Sequence, residues 1–304
     1  MRGAAKLREM IKTGRTIVSP GVYEGLGARV CLQNGFDTLY MTGAGTAIGQ
    51  LGMPDLGLTT ADDMVRNAAM LAGLNRDVPV IADADTGFGG PVMVERTVER
   101  YILAGVAALH LEDQVMQKRC GHLGGKELVD EATFLARIRA AVAARERTGG
   151  DIVIIARTDA LQSLGFDAAI HRLKLAVEAG ADMCFLEGMT SKEQMAESVK
   201  QLAPTPCMLN MVNGGVTPLV DAKEAQAMGY ALVIWPIFAL MAAFNAYEKA
   251  AQELKSTGFL ADMKDSPGGP VRGGVREVFE LCGMSKCVEF DMQMGGATYA
   301  KGGP

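Results

Sequence analysis

Residues 79–113 read Pro-Val-Ile-Ala-Asp-Ala-Asp-Thr-Gly-Phe-Gly-Gly-Pro-Val-Met-Val-Glu-Arg-Thr-Val-Glu-Arg-Tyr-Ile-Leu-Ala-Gly-Val-Ala-Ala-Leu-His-Leu-Glu-Asp, and their pattern decides the fold. A short apolar run ending in carboxylates (Pro79–Asp85) meets a glycine-rich turn, then an amphipathic stretch (Pro91–Ala104), then Gly105 and a second apolar run (Ala108–Asp113). Runs this uniformly apolar suit strands buried on both faces, and therefore a parallel sheet covered by helices.

The same unit recurs along the chain. Further strands are predicted at Thr16–Val22, Thr38–Thr42, Asp151–Asp159, Ala181–Glu187, Pro206–Val212 and Tyr230–Trp235. Helices are predicted at Thr60–Ala72, Glu131–Arg147, Phe166–Ala179, Ser191–Leu202 and Asp221–Met228, with Gly73, Gly105, Gly180 and Gly229 as C-terminal caps. Eight units in roughly 240 residues is the count of a (β/α)₈ TIM barrel, an α/β fold, here assigned to residues 1–257. A doubly wound open sheet would place a glycine-rich phosphate turn after its first strand, and Pro20-Gly21-Val22-Tyr23 is not one. Residues 258–304 change to Gly- and Pro-rich sequence with a short helix around Val275–Cys282. They form a C-terminal helical extension expected to pack on a neighbouring subunit or be swapped with it.

The chain has 304 residues, 49% hydrophobic and 21% charged, with a net charge of −5, so no nucleic-acid partner is expected. Six cysteines lie far apart without metal-type CxxC spacing and read as reduced thiols. The start of the chain lacks an apolar signal core, and the longest apolar run, Ala231–Phe244, is too short to span a bilayer and contains Pro236. The expectation is a cytoplasmic protein with no membrane partner.

In a barrel of this kind chemistry collects where the strands end. Here those ends are polar: Tyr40 and Thr42; Asp83 and Asp85; His110, Glu112 and Asp113; Arg157 and Asp159; Glu187; Asn210. Residues two apart on a strand point the same way, so these pairs converge on the mouth. Asp83, Asp85 and Glu112 would repel one another without a cation, and all-oxygen ligation suits Mg²⁺ or Mn²⁺. Helix capping is the competing role, strong for Thr86 and Asp113 and weak for Asp83. Asp55 either reaches the metal through water or serves its turn. Arg157 is either an ion-pair partner of Glu187 or Glu112 or a fork for a substrate carboxylate. His110 is either a core histidine or an orienting group. No lysine ends a strand, which argues against Schiff-base chemistry and leaves a metal as electron sink.

Residues 117–126, Gln-Lys-Arg-Cys-Gly-His-Leu-Gly-Gly-Lys, place Cys120 beside Lys118 and Arg119, with His122 two residues on and Gly121, Gly124 and Gly125 around it. Cationic neighbours raise a thiol's thiolate fraction, and glycines let a loop change shape. The stretch reads as a reactive thiol on a mobile flap.

Taken together, Tyr-Met-Thr-Gly-Ala (40–44), Pro-Asp-Leu-Gly (54–57), Ala-Asp-Ala-Asp-Thr-Gly-Phe-Gly (82–89), His-Leu-Glu-Asp-Gln (110–114), Lys-Arg-Cys-Gly-His (118–122), Ala-Arg-Thr-Asp-Ala (156–160) and Phe-Leu-Glu-Gly (185–188) resemble the isocitrate lyase / phosphoenolpyruvate mutase superfamily from about residue 16 to 250. The cysteine-bearing flap resembles its lyase branch, in which that cysteine is a general acid/base. The resemblance implies Mg²⁺ held by Asp83, Asp85 and Glu112 with Asp55 further out. It implies Thr42, Gly43, Ala44 and Arg157 holding the oxyacid end of a di- or tricarboxylate, and a homotetramer built as a dimer of dimers with swapped C-terminal helices. Asn210-Met-Val-Asn213-Gly214-Gly215 departs from the methylisocitrate lyase pattern and looks like the dicarboxylate-cleaving members that act on 2,3-dimethylmalate or oxaloacetate.

The expected reaction is metal-dependent cleavage of the C2–C3 bond of a 2-hydroxy (or hydrated 2-oxo) dicarboxylate. Cys120 protonates the carbanion, Glu112 or Tyr40 is the base, Arg157, Lys118 and His122 are further catalytic residues, and Asp83, Arg119, Gly121, His110, Glu187 and Asn210 bind the substrate. A tricarboxylate lyase, an oxaloacetate decarboxylase and a catalytically silent metabolite-binding barrel are the alternatives. Trp235, Pro236, Phe238 and the Asn213–Gly215 loop are expected to line the substrate's side-chain pocket.

Overall fold

The structure, a computed structural model, describes residues 2–121, 123–260 and 274–299. It opens with α1 (Arg2–Lys12) and β1 (Ile17–Val22), followed by α2 (Gly25–Gln33), β2 (Leu39–Met41), α3 (Gly43–Thr46), a π-helical turn over Ala47–Leu51, and α4 (Ala61–Leu74). Then come β3 (Val80–Asp83), α5 (Pro91–Ala104), β4 (Ala108–Glu112), α6 (Glu131–Thr148), β5 (Val153–Thr158), α7 (Leu161–Leu164), α8 (Phe166–Glu178) and β6 (Met183–Leu186). The chain ends with α9 (Lys192–Leu202), β7 (Cys207–Asn210), α10 (Ala222–Met228), β8 (Leu232–Trp235), α11 (Phe238–Thr257), α12 (Val275–Leu281) and α13 (Met284–Gln293).

The strands form a closed parallel barrel in sequence order, β1 meeting β8 with Ile17 opposite Leu232 and Pro20 opposite Trp235. Alternate residues sort into two cores, as the two-residue period of a strand demands. Ile17, Tyr40, Ile81, Ala108, Val153, Ile155, Met183, Phe185, Met208, Leu232 and Ile234 fill the interior. Val22, Met41, Ala82, Leu109, Leu111, Ile154, Cys184, Leu209 and Val233 face outward and pack under the helices. Closing the sheet removes its edges, so nothing in the barrel invites strand addition.

Helix α1 was not anticipated. Its Ala4 and Leu7 join the interior cluster, and the Leu7 side chain is fully buried, so the helix stoppers the N-terminal end of the barrel. Arg8 fastens it, donating to the Asp151 and Ile152 carbonyls and pairing with Asp182 at 3.1 Å.

Three cap assignments change. Helix α4 runs through Gly73 to Leu74, because Gly73 stays within the helical turn and Asn75 ends it. Thr86 and Asp113 cap nothing: α5 starts at Gly90 with Pro91 in its first turn, and Asp130 caps α6 by accepting from the Thr133 amide at 2.7 Å. Gly105 and Gly229 do take the left-handed conformation, φ 87° and 92°, at the ends of α5 and α10.

In the extension, α12 matches the expected short helix and α13 was missed. Arg29 of α2 donates to the Leu281 carbonyl at 3.2 Å, linking α12 to the barrel. Phe244, Tyr247, Phe259 and Phe290 stand exposed along α11, the segment after it and α13. Among the described residues no helix is long and apolar enough to cross a membrane.

Replacing Leu7 by Ala should cost about 2–5 kcal/mol, since it deletes a fully buried side chain at a site with little freedom to collapse. Urea unfolding of the variant reads this directly, and a loss near zero would mean that α1 does not seal the barrel.

Candidate active site at the barrel mouth

The interior face turns polar at its C-terminal rim. Asp83 lies in register with His110, and Glu112, two residues further along β4, with Arg157, so adjacent strands deliver these side chains to two successive levels. Asp83 accepts from the Asp85 amide at 2.8 Å, bending the chain into a turn in which Asp85 takes φ 47°. Such a conformation is uncommon for a residue with a Cβ. It aims the Asp85 carboxylate back toward the mouth, where Thr59 donates to it at 3.3 Å.

At the end of β2, Thr42 caps the short helix α3, its Oγ1 accepting from the Gly45 amide at 3.2 Å. Thr46 donates to the Thr42 carbonyl at 2.7 Å and accepts from Asn67 at 2.9 Å, which steadies the turn. Gly43 then passes so close to Asp83 that a Cβ would overlap the carboxylate. Gly43 thus borders Asp83 at the end of β2. Deeper in the barrel the Tyr40 hydroxyl meets His110 Nε2 at 2.8 Å. His110 Nδ1 faces Asp83 at 3.7 Å, and Phe185 packs edge-on against the imidazole.

Arg157 is the hub of the other half. Its guanidinium reaches Asp159 at 2.9 Å, Glu112 at 3.2 Å and Glu187 at 3.6 Å, and lies over the Phe185 ring at 5.2 Å. The ion-pair reading of this residue holds for both expected partners, Glu112 and Glu187. Asn210 donates to Glu187 at 2.9 Å and holds that carboxylate in place. Asp113 lies behind, accepting from the Thr158 hydroxyl at 2.6 Å and the Asp159 amide at 2.9 Å.

The flap folds down onto this layer. Gln114 clasps the Arg119 backbone, donating to its carbonyl at 2.9 Å and accepting from its amide at 3.0 Å. Lys118 is buried, pairing with Asp85 at 2.6 Å and with Asp55. Arg119 points to solvent and Cys120 is half-buried. Gly121 rests on the hub itself: a Cβ there would overlap Arg157 Nη2 and come within 2.7 Å of Glu187 Cγ. His122 lies outside the described residues. Lys126 donates to the Gly121 carbonyl at 2.7 Å and to Asp159 at 2.8 Å.

Carboxylates outnumber cations here. Asp55, Asp83, Asp85, Glu112, Asp159 and Glu187 face Lys118, Lys126 and Arg157. Burial pushes the Asp85 carboxyl up to about 6, with Lys118 pulling the other way and Asp83 adding to the rise. Burial likewise drives Glu112 well above the usual carboxylate range, against the pull of Arg157. Burial holds the His110 imidazole down at about 4, so it is neutral at neutral pH. Burial and the Asp83 charge both raise the Tyr40 phenol.

Among the described residues no three His, Cys, Asp or Glu side chains form a finished metal cage, since Lys118 and Arg157 draw the carboxylates toward themselves. The donor set nevertheless fits a hard divalent cation. It is all oxygen, it carries surplus negative charge, and Glu112 Oε1 is buried without a hydrogen-bond partner.

Two residues of the site were not singled out from sequence. Gln114 and Lys126 act through the folded-back flap, which no local pattern announces. One pocket assignment is corrected: Trp235 packs against the outer core, because Ile234 is the interior residue of that pair. Phe238 is exposed at the start of α11.

A closed barrel with an oxyacid-type carboxylate cluster at its mouth and a thiol-bearing flap over it defines an enzyme scaffold rather than a binding module. The chain belongs to the phosphoenolpyruvate mutase/isocitrate lyase superfamily: the phosphoenolpyruvate phosphomutase family matches residues 7–255. A 2,3-dimethylmalate lyase of Eubacterium barkeri is 42% identical over 88% of this chain and 91% of its own length. A 2-methylisocitrate lyase of Aeropyrum pernix is 41% identical, over 85% of this chain and 82% of that one. Among solved structures, a 2,3-dimethylmalate lyase superposes with a TM-score of 0.94 at 48% identity, covering 100% of this chain and 98% of the other. An oxaloacetate acetylhydrolase in complex with 3,3-difluorooxalacetate gives 0.93 at 47% identity, covering 98% of both.

A methyl group at Gly121 would keep the flap off Arg157. Gly121→Ala should lower kcat by about 10²-fold, the effect of an ångström-scale misplacement. Its Tm should stay near that of the unaltered protein, and steady-state kinetics beside a thermal melt checks both.

Proposed function

We propose that this protein cleaves the C2–C3 bond of a 2-hydroxy or hydrated 2-oxo dicarboxylate, of the kind represented by 2,3-dimethylmalate or oxaloacetate. The observation that carries this reading is the flap: it brings a half-buried thiol, Cys120, next to Gly121, whose backbone lies on Arg157 and Glu187. The likeness to both a dimethylmalate lyase and an oxaloacetate acetylhydrolase supports a dicarboxylate.

Asp83, Asp85 and Glu112 would hold Mg²⁺, or Mn²⁺ in its place, with Asp55 further out. Bound there, the ion would supply Lewis-acid stabilisation of negative charge on the substrate's C2 oxygen. Thr42, Gly43, Ala44 and Arg157 bind the oxyacid end, the arginine matching a carboxylate with two parallel donors. His110, held by Tyr40 and Phe185, faces Asp83 at 3.7 Å. Glu112 or Tyr40 takes the proton of the C2 hydroxyl, the Tyr40 hydroxyl being held by His110. As the C2–C3 bond breaks, its electron pair stays on C3 and a 2-oxo acid (or, from a hydrate, a carboxylate) forms at C2. The Cys120 thiol gives its proton to C3. Lys118, Arg119, Gly121 and His122 belong to the gating loop that keeps water from that carbon until Cys120 has acted.

We also read the extension as swapped between subunits of a homotetramer, a dimer of dimers. The support is the exposed Phe244, Tyr247 and Phe290, which a second chain would cover. Light scattering should give the mass of four chains, and a monomer would sink this part.

Cys120→Ala and Cys120→Ser should lose turnover on every substrate while keeping the rise in Tm that added Mn²⁺ gives the unaltered protein. A panel of di- and tricarboxylates, coupled to release of 2-oxo acids and oxalate, identifies the substrate. Activity in the Cys120 variants comparable to wild type would overturn the acid role. Cleavage confined to tricarboxylates would favour the methylisocitrate type. Metal-dependent loss of CO₂ from oxaloacetate, untouched by the Cys120 change, would favour a decarboxylase.

A further inference from the structure

Lys126 carries a buried charge that the reaction scheme leaves without a task. Its side chain is 3% exposed, and its ammonium donates to two oxygens from different parts of the chain. One is the carbonyl of Gly121, the residue after Cys120, at 2.7 Å. The other is Asp159 at 2.8 Å, a fully buried carboxylate that also takes two donors from Arg157, at 2.9 and 3.3 Å. Gly121 in turn has no room for a Cβ against Arg157 and Glu187. The flap tip is therefore pulled down by a charge from its own C-terminal limb, against a carboxylate fixed behind the site. Asp159 is itself held from behind, its amide donating to Asp113.

We propose that Lys126 is a positioning residue for the flap acid: by bridging the Gly121 carbonyl to Asp159 it latches Cys120 over the mouth. A surface lysine in this sequence position would gain nothing from burial, because an ammonium taken out of water must be paired to stay charged. Here one ammonium satisfies both a flap carbonyl and the carboxylate that orients Arg157. Closure of the flap and the setting of the substrate-binding guanidinium thus share Asp159. Gln114 clasps Arg119 on the other limb, tying the loop to its own base.

The inference rests on the reading of Cys120 as the acid, and chemical labelling tests it without turnover. N-ethylmaleimide should modify Cys120 at least about tenfold faster in Lys126→Met than in wild type, the scale of a lost charge-assisted hydrogen bond. The buried Cys31, Cys184 and Cys207 should stay unlabelled, which a general loosening of the fold would not give. Lys126→Arg, which keeps the charge, should restore most of the protection. With substrate, Lys126→Met should lose at least about tenfold in kcat with a much smaller change in KM.

A folded Lys126→Met variant with wild-type Cys120 labelling overturns the latch, even if the protein proves to be a lyase. Faster labelling upholds it even if no dicarboxylate is cleaved. Should Lys126→Met fail to fold, the wild-type protein decides. Acetyl N-hydroxysuccinimide should then acylate Lys126 far more slowly than the exposed Lys12, and equal rates overturn the proposal.

Discussion

Crowding of buried carboxylates at one end of a barrel is the constraint on which the rest of this structure depends. Negative charges removed from water repel strongly, and each needs a cation or a proton. The barrel brings Asp83, Glu112 and Asp159 to the rim on neighbouring strands and their turns, and turn geometry adds Asp85. Arg157 answers part of that charge from within the sheet. Lys118 and Lys126 answer more from outside it, and both belong to the flap.

The flap is thus more than a cover. Its two lysines bracket Cys120 in sequence and pair with two different halves of the carboxylate cluster, Asp55 and Asp85 on one side and Asp159 on the other. Between them Gly121 makes the closest approach to Arg157. Any positive charge that arrives at the Asp83–Asp85–Glu112 cluster alters what Lys118 experiences. Any anion that occupies Arg157 alters the share of Asp159 available to Lys126. Lid position and ligand charge are consequently parts of one electrostatic balance.

Much of this was legible in the sequence, for identifiable reasons. The strands were readable because parallel barrel strands are apolar throughout, and glycines such as Gly105 and Gly229 mark the helix ends before them. The rim was readable because Asp83, His110, Glu112, Arg157 and Asn210 interrupt those apolar runs with polar residues on one parity. Where the parity carries no polar mark it could not be read: Leu-Val-Ile-Trp (232–235) is apolar on both faces, and Trp235 was assigned to the wrong one. Helix α1 escaped notice because its fully buried face is narrow, Ala4 and Leu7 with the partly buried Met10 and Ile11 beside them. Lys126 was hidden for a different reason. Its partners, Gly121 and Asp159, meet it only after the loop has turned back on itself, a contact with no sequence period.

Helix α1 also settles the traffic through the molecule. With Leu7 seated among Ile17, Ala108, Val153 and Leu232, the barrel is a vessel stoppered at its base. Reactant and both fragments of a cleaved bond must then use the same doorway, the one on which the flap rests. Departure is as much the flap's business as arrival.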